Sequence, residues 1–382
     1  MENNSQKVAL ILAGGSDMNL WPISNDNKPK QFSHFLGEGT LLQNTYDRLI
    51  NLYENENIYI STIVGYEKYV LEQIPDLKKQ NLILEPFLNG SLSALMLANS
   101  IISKRHGEDT NITIFPSDHL IISQIEFLSS LEKAINCANL MNGLVVLGIE
   151  PNAPLEKLGY IQYSKINSNS FNKKENLNEN KILKQELIDL GLRKIITFAE
   201  KPDKESAKRF LLSGDFLWNT GIISIKSNIL VDEFRNLFPY ESNLFSNLMN
   251  YIDNRNFDLQ VNLLYRRLKP MSIESGILEK KSTYSNKNLF TLKTDFDWLD
   301  LDNWAELYLE SKKDPKGNVL NGSVISLNSK NSLVITENLN IAIIGLEDVV
   351  VVEHNGSLLI CNRNQVQDVK EVYKEIKRKK IQ

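Results

Sequence analysis

The chain has 382 residues, 42% of them hydrophobic, with 43 Lys and Arg against 47 Asp and Glu for a net charge of −4. That length and apolar content suffice for one large α/β domain plus a smaller one, and the slight acidic balance excludes the basic surface that a nucleic-acid partner requires. Cys137 and Cys361 are too few for a disulfide framework and too far apart for a metal knuckle; no apolar run is long enough to span a membrane, and the polar Met1 to Gln6 is unlike a signal peptide, so a cytoplasmic chain with no membrane partner is expected.

Val8 to Leu12 is an unbroken apolar run, the pattern of a strand buried on both faces of a parallel sheet. It empties into Gly14-Gly15. Leu41 to Tyr53 has helical spacing, Ile58 to Val64 and Leu82 to Leu84 read as strands, and Ser91 to Ser103 as a helix with Ser91 as its N-cap. Asn111 to Phe115 is a fourth strand, Ile125 to Met141 a long helix and Leu144 to Ile149 a fifth strand. Strands alternating with helices at this interval predict an α/β, doubly wound, mostly parallel Rossmann-like sheet. Ser164 to Lys194 is polar and reads as a flexible insertion, helical in part from Lys181 to Leu190. Ile195 to Ala199 resumes as a strand, Asp203 caps a helix from Lys204 to Leu212, and Gly214 suits its C-terminal turn. Ile222 to Ile225 and Asn288 to Thr294 read as strands, with helices at Ile229 to Leu237, Glu241 to Ile252 and Ile273 to Lys280 between them. The break at Asp314-Pro315-Lys316-Gly317 divides residues 1–314 from a C-terminal module, 315–382. There, short apolar runs from Val324 to Ile360 recur at close intervals, as in an all-β module of rungs or hairpins, before an amphipathic helix from Gln365 to Lys379.

Polar signals stand where such a sheet binds ligands, after its strands: Gly14-Gly15 after the first, Glu85-Pro86 after the third, Pro116-Ser117-Asp118-His119 after the fourth. Two glycines let backbone N–H groups lie against phosphate oxygens, and Lys30 supplies a cation at the same edge. The loop is neither G-x-x-x-x-G-K-S/T nor G-x-G-x-x-G, so the commoner phosphate loops are excluded, while an ordinary strand-to-helix turn remains the alternative for the glycine pair alone.

The longer stretch, Leu12-Ala13-Gly14-Gly15, then Leu20-Trp21-Pro22-Ile23-Ser24, then Lys28-Pro29-Lys30-Gln31-Phe32, resembles the sugar-nucleotidyltransferases, most closely the mannose-1-phosphate guanylyltransferase family. Phe198-Ala199-Glu200-Lys201-Pro202, Trp218-Asn219-Thr220-Gly221, Ser272-Ile273-Glu274 and Trp298-Leu299-Asp300 extend the resemblance in the family's order over nearly the whole chain. It implies transfer of GMP from GTP to a sugar 1-phosphate with release of pyrophosphate, chemistry that asks for positioning and charge neutralisation. By the same resemblance Lys30 and Asp118 are catalytic, and Asp118 and Asp300 hold Mg²⁺. Leu12, Ala13, Gly14, Gly15, Glu85 and Ser91 line the nucleotide, while Gly159, Glu200, Lys201 and Asn219 meet the sugar and its phosphate. The resemblance further implies a homodimer joined through the C-terminal module. Read without the family, Asp118 is a turn or cap residue, Asp300 a helix-start acid and Lys30 a surface lysine. His119 is expected to be a hydrogen-bonded structural residue.

Four positions depart from the family pattern. Asn19 replaces an arginine and Asp17 a glycine in the signature loop, Gly90-Ser91 replaces Asn-Thr, and Glu156-Lys157-Leu158 alters the stretch before Gly159. Losing one charge donor costs about 3–4 kcal/mol in the transition state. Asp17 adds about 2–3 kcal/mol of repulsion if it lies some 6 Å from a phosphate at an effective dielectric of ~20. Two readings therefore stand: an enzyme with altered loop geometry, in which Lys157 offers a replacement cation on the sugar side rather than the triphosphate side, or a non-catalytic sugar-nucleotide-binding relative that regulates or scaffolds an active partner.

Overall fold

The computed structural model describes residues 6–16, 18–36, 38–164, 186–284 and 288–380. Strand β1 (Lys7–Leu12) is at the heart of a nine-stranded sheet, and its side chains alternate between the two faces as a strand's must. Val8 and Leu10 join the core on one face, with the helix Ser91–His106 and the helices between Ser227 and Tyr265; Ala9 and Ile11 join the core on the other, with the helices Leu41–Leu49 and Gln124–Met141. The helix Ser91–His106 is buried at every position from Leu92 to Ser103, where apolar residues and small polar ones surround the helix on all sides.

The other strands are β2 (Ile58–Ile63), β3 (Leu82–Glu85), β4 (Asn111–Pro116), β5 (His119–Ile121), β6 (Leu144–Ile149), β7 (Tyr160–Tyr163), β8 (Leu192–Ala199), β9 (Phe216–Lys226), β10 (Leu289–Thr294) and β11 (Trp298–Asp300). The main sheet has the order β3-β2-β1-β4-β9-β6-β10-β8-β7. The doubly wound α/β sheet is thus present, with β8 and β9 running against the rest. The short strand β5 leaves the sheet after β4 and pairs antiparallel with β11, placing His119 opposite Asp300. The run Trp218 to Gly221, expected as a lead-in to a strand, lies inside β9, where a register shift against Val146 and Gly148 bends the pairing.

Several boundaries differ from expectation for local reasons. Gly90, not Ser91, caps the helix Ser91–His106, with φ +79; a Cβ there would collide with the Met271 carbonyl oxygen. Ser91 instead uses its hydroxyl to accept the Ile273 N–H at 2.9 Å. The segment Glu274–Glu279 is a π-helix rather than an α-helix. The helix Phe257–Tyr265 is not expected from the sequence, because Phe257, Leu259, Val261 and Leu263 alternate like a strand. Of the polar insertion, 165–185 lies outside the described residues; 186–189 are helical and within the expected helix.

Beyond residue 317 the chain forms β12 (Val319–Asn321), β13 (Val324–Leu327), β14 (Leu333–Thr336), β15 (Ile341–Ile344), β16 (Val349–His354) and β17 (Ser357–Asn362). The pairs β12–β14, β14–β16 and β13–β15 are parallel, as rungs, and β16–β17 is a hairpin. The closing helix Val369–Lys380 packs back on the N-terminal part: one buried cluster unites Leu20, Trp21, Leu301 and Trp304 with Leu333, Val350 and Val369. Among the described residues no helix is long and apolar enough to cross a membrane.

Candidate active site

A cleft of about 520 Å³ opens at the sheet edge where β1, β4 and the β5–β11 ribbon end. Lys30, Asp118, Gly159, Glu200, Lys201, Asn219 and Asp300 all line it. A smaller cavity of about 260 Å³, lined by Leu12, Gly14, Gly15, Glu85 and Ser91, shares Pro116, Gly221 and Glu274 with the cleft. Every residue expected at the site except Ala13 therefore lines one of two neighbouring cavities. Ala13 is fully buried between them and the sheet: its carbonyl accepts from Thr62 and Gln31, and its N–H bonds to Ser61.

Lys30 is only 4% exposed. Its Nζ lies 3.0 Å from Asp118 Oδ2 and 3.7 Å from Asp300 Oδ1, and donates to the Leu301 carbonyl at 2.7 Å. A buried ammonium needs such partners to stay charged. Burial opposes ionisation of Asp118, but the Lys30 ammonium and hydrogen bonds outweigh it and hold the carboxyl below its usual range. Gln31, next in sequence, donates to the carbonyls of Ala13 and Gly15, so the lysine and the glycine loop are fixed to one another.

Trp298 Nε1 donates to His119 Nδ1 at 3.1 Å, which leaves the imidazole neutral with its remaining proton on Nε2. Burial lowers the His119 pKa in the same sense. His119 is thus a hydrogen-bonded bracing residue between β5 and β11, as expected.

On the sugar side, a Cβ on Gly159 would lie 2.8 Å from Phe198 Cζ, 3.0 Å from Glu200 Oε2 and 3.3 Å from Asn219 Cβ, so any side chain there would push these groups apart. The Asn219 N–H donates to the Gly159 carbonyl, and Asn219 Oδ1 accepts the Gly221 N–H. Burial and the neighbouring Glu274 push Glu200 up to about 7, against the pull of Lys201. Lys201 itself adopts a left-handed φ of +47 and extends an exposed side chain.

On the nucleotide side, Glu85 is buried and its Oε2 accepts the Tyr265 hydroxyl at 3.0 Å. Burial pushes Glu85 up to about 7, and the Tyr265 hydrogen bond moderates the rise.

The departures resolve unevenly. Asp17 lies outside the described residues. Asn19 Nδ2 donates to Asp302 Oδ1 at 2.9 Å. Lys157 is not the replacement cation: its Nζ pairs with Glu306 at 2.5 Å and donates to the Asp300 carbonyl, so its charge is already neutralised. Sequence reasoning assigns no role to Glu274, which lines both cavities from one of the family-like motifs, or to Tyr265 and Lys370, for which no local signal exists.

Among the described residues no three or more His, Cys, Asp or Glu side chains cluster as a metal site. Asp118 and Asp300 are two carboxylates converging on one cation position, the Lys30 ammonium.

A strand-edge cleft that brackets a buried lysine with two aspartates, beside a glycine-loop pocket, is the architecture of a nucleotidyltransferase. The nucleotidyl transferase family profile matches residues 8–317, and that of the mannoseP isomerase/GMP-like beta-helix domain matches 322–376; the chain belongs to this family. Within it, the mannose-1-phosphate guanylyltransferase of Klebsiella pneumoniae is 30% identical over 373 residues, 97% of this chain and 74% of that protein. The alginate biosynthesis protein AlgA of Pseudomonas aeruginosa is 27% identical over 376 residues, 97% of this chain and 72% of that protein. The crystal structure of a mannose-1-phosphate geranyltransferase from Thermus thermophilus has the same fold, with a TM-score of 0.80 at 22% identity over 97% of this chain and 99% of that one. The family read from the motifs thus holds along the whole chain.

Proposed function

We propose that this chain transfers GMP from GTP to mannose 1-phosphate, giving GDP-mannose and pyrophosphate. The observation that carries the proposal is the convergence of Lys30, Asp118, Asp300, Glu200 and Asn219, from distant parts of the sequence, on one cleft beside the Gly14-Gly15 pocket. The base sits in the smaller cavity, where ionised Glu85 accepts hydrogen bonds from its N–H donors. Asn219, Glu200 and the Gly159 backbone orient the sugar, and Lys201 takes its phosphate. A phosphate oxygen of the sugar 1-phosphate attacks the α-phosphorus; the bond from that phosphorus to the β-phosphate oxygen breaks, and pyrophosphate leaves with the electron pair. The attacking oxygen is already anionic, so no general base is required, which accords with a neutral, hydrogen-bonded His119. Lys30 neutralises charge on the α-phosphate while the incoming oxygen bonds to its phosphorus and the leaving oxygen departs. Asp118 and Asp300, gathered beside Lys30, are the hard carboxylate donors that would hold Mg²⁺, and the ion would supply further neutralisation of phosphate charge.

The test is pyrophosphate release from GTP and mannose 1-phosphate with Mg²⁺, with ATP, UTP and glucose 1-phosphate as controls. Release only with the first pair supports the assignment; no release from any pair removes it. One observation favours the second reading, a non-catalytic sugar-nucleotide binder: a neutral Asn19, hydrogen-bonded to Asp302, stands at the loop. It predicts GDP-mannose binding without turnover, and turnover on Asp17→Gly with Asn19→Arg.

The division at residues 314 and 315 and a homodimer through the C-terminal module are part of the same proposal. Ile325, Leu327 and Ile344 project from β13 and β15 as an exposed apolar row. Sedimentation equilibrium reads the dimer directly. The free thiols Cys137 and Cys361 accord with a reducing cytoplasm.

A further inference from the structure

We infer that Lys370, on the C-terminal helix, is the cation that receives the outer phosphates of the nucleoside triphosphate; this rests on the guanylyl-transfer reading above. Lys370 belongs to the closing helix, far in sequence from every motif of the site, yet it lines the catalytic cleft with Asn19, Lys30 and Asp302.

The charges of that cleft explain why it is needed. Five carboxylates line it, Asp118, Glu200, Glu274, Asp300 and Asp302, against the lysines Lys30, Lys157, Lys201 and Lys370. Lys30 is committed to Asp118 and Asp300, and Lys157 to Glu306. Lys201 lies beside Glu200, on the sugar side. Lys370 is exposed, and among the described residues it makes no ion pair. With Lys30 assigned to the α-phosphate and Lys201 to the sugar phosphate, the part of the cleft lined by Asn19 and Asp302 offers the outer phosphates only a neutral amide and a carboxylate. The Lys370 ammonium at that end supplies a charge-assisted partner for them.

The helix is also held in place for the task. Next to Lys370, Val369 is buried in the cluster that contains Leu20 and Trp21. One turn on, the Tyr373 ring lies 6.5 Å from that of Trp21, and its hydroxyl accepts the Asp26 N–H. Lys377 pairs with Asp26. The helix is therefore strapped to the segment that continues the glycine loop and runs on to Lys30. The sugar residues Gly159, Glu200 and Asn219 come from the β7–β9 side instead. Lys370 thus serves pyrophosphate rather than the sugar phosphate.

The test uses the full chain in the reverse direction, with GDP-mannose and inorganic pyrophosphate, and the variant Lys370→Gln. Its exposed position predicts normal folding, checked by circular dichroism. The KM for pyrophosphate should rise roughly ten- to hundredfold, the worth of one charge-assisted contact, while that for GDP-mannose does not move. Asn19→Arg added to Lys370→Gln should recover most of the loss, since residue 19 lines the same end of the cleft. An unchanged pyrophosphate KM, or a parallel rise in both constants, overturns the inference. Calorimetric titration with inorganic pyrophosphate separates it from the reading beneath it. Binding that depends on Lys370 without turnover removes guanylyl transfer and keeps the lysine. Turnover with equal pyrophosphate affinity in wild type and Lys370→Gln keeps the transfer and removes the lysine.

Discussion

Lys30 stays charged in a nearly dry place because two carboxylates and a carbonyl oxygen replace the water it has lost. Lys30→Met should lower kcat by about 10²–10³, as loss of one transition-state charge donor does, read by coupled pyrophosphate release. Glu85 makes a pH prediction. Its folded pKa of about 7 lies above the ordinary 4.5, so the folded state holds a proton that the unfolded chain has released. Its contribution to stability is therefore present below pH 4.5 and lost as pH rises through about 7. Nucleotide binding should show the opposite slope, tightening as Glu85 ionises around pH 7 and accepts from the base. Tyr265→Phe removes a hydrogen bond that favours the carboxylate, so the midpoint of KM for GTP against pH should move upward, and Glu85→Gln should flatten the profile. The residue types are legible at this scale: Asp118 and Glu85 stand at strand ends, and Lys30 in a recognisable Lys-Pro-Lys-Gln stretch. Their partners are not, because Leu301 and Tyr265 meet them only through folding.

The β5–β11 ribbon is two three-residue strands that pair Asp300 with His119 and so bring it near Asp118, the residue before β5, braced by the Trp298 to His119 hydrogen bond. The motifs naming both aspartates are readable, but the pairing of the strands that carry them is not, since strands this short have no periodicity to read. The same holds for the wall of the nucleotide pocket. The start of the helix Ser91–His106 is pinned to Met271 and Ile273 by the Leu92 N–H and the Ser91 hydroxyl. Gly90 must take φ +79 with the Met271 carbonyl against it, which no side chain tolerates. Gly90→Ala should cost at least the ~1–3 kcal/mol of left-handed strain and lower Tm by several degrees, measured by calorimetry. The helix Phe257–Tyr265 escapes a sequence reading for a similar reason: its sequence alternates but its burial does not, and Leu259 and Leu263 face solvent while Val261, Leu264 and Tyr265 pack inward.

At the scale of the molecule, the C-terminal rungs are not a free appendage. Leu333, Val350 and Val352 turn one face of their sheet onto Leu20, Leu301 and Trp304, the segments that flank Lys30 and Asp300. A shared core of this kind predicts one cooperative unfolding transition, so Leu333→Ala should shift the whole of it by roughly 2–5 kcal/mol rather than split off a second step, as read by tryptophan fluorescence and calorimetry together. It also places the closing helix where Lys370 reaches the cleft.

What the sequence by itself determined was the set of local facts: buried strand runs, the glycine pair, the acids and lysines at strand ends, and with them the family. Those follow from periodicity and residue chemistry, which act over a few neighbours. Which charges neutralise which was decided by the tertiary structure alone. Lys157 is spent on Glu306 and Lys370 is brought from the far end of the chain to the cleft, because electrostatic pairing depends on distance in space and the chain does not encode that distance locally.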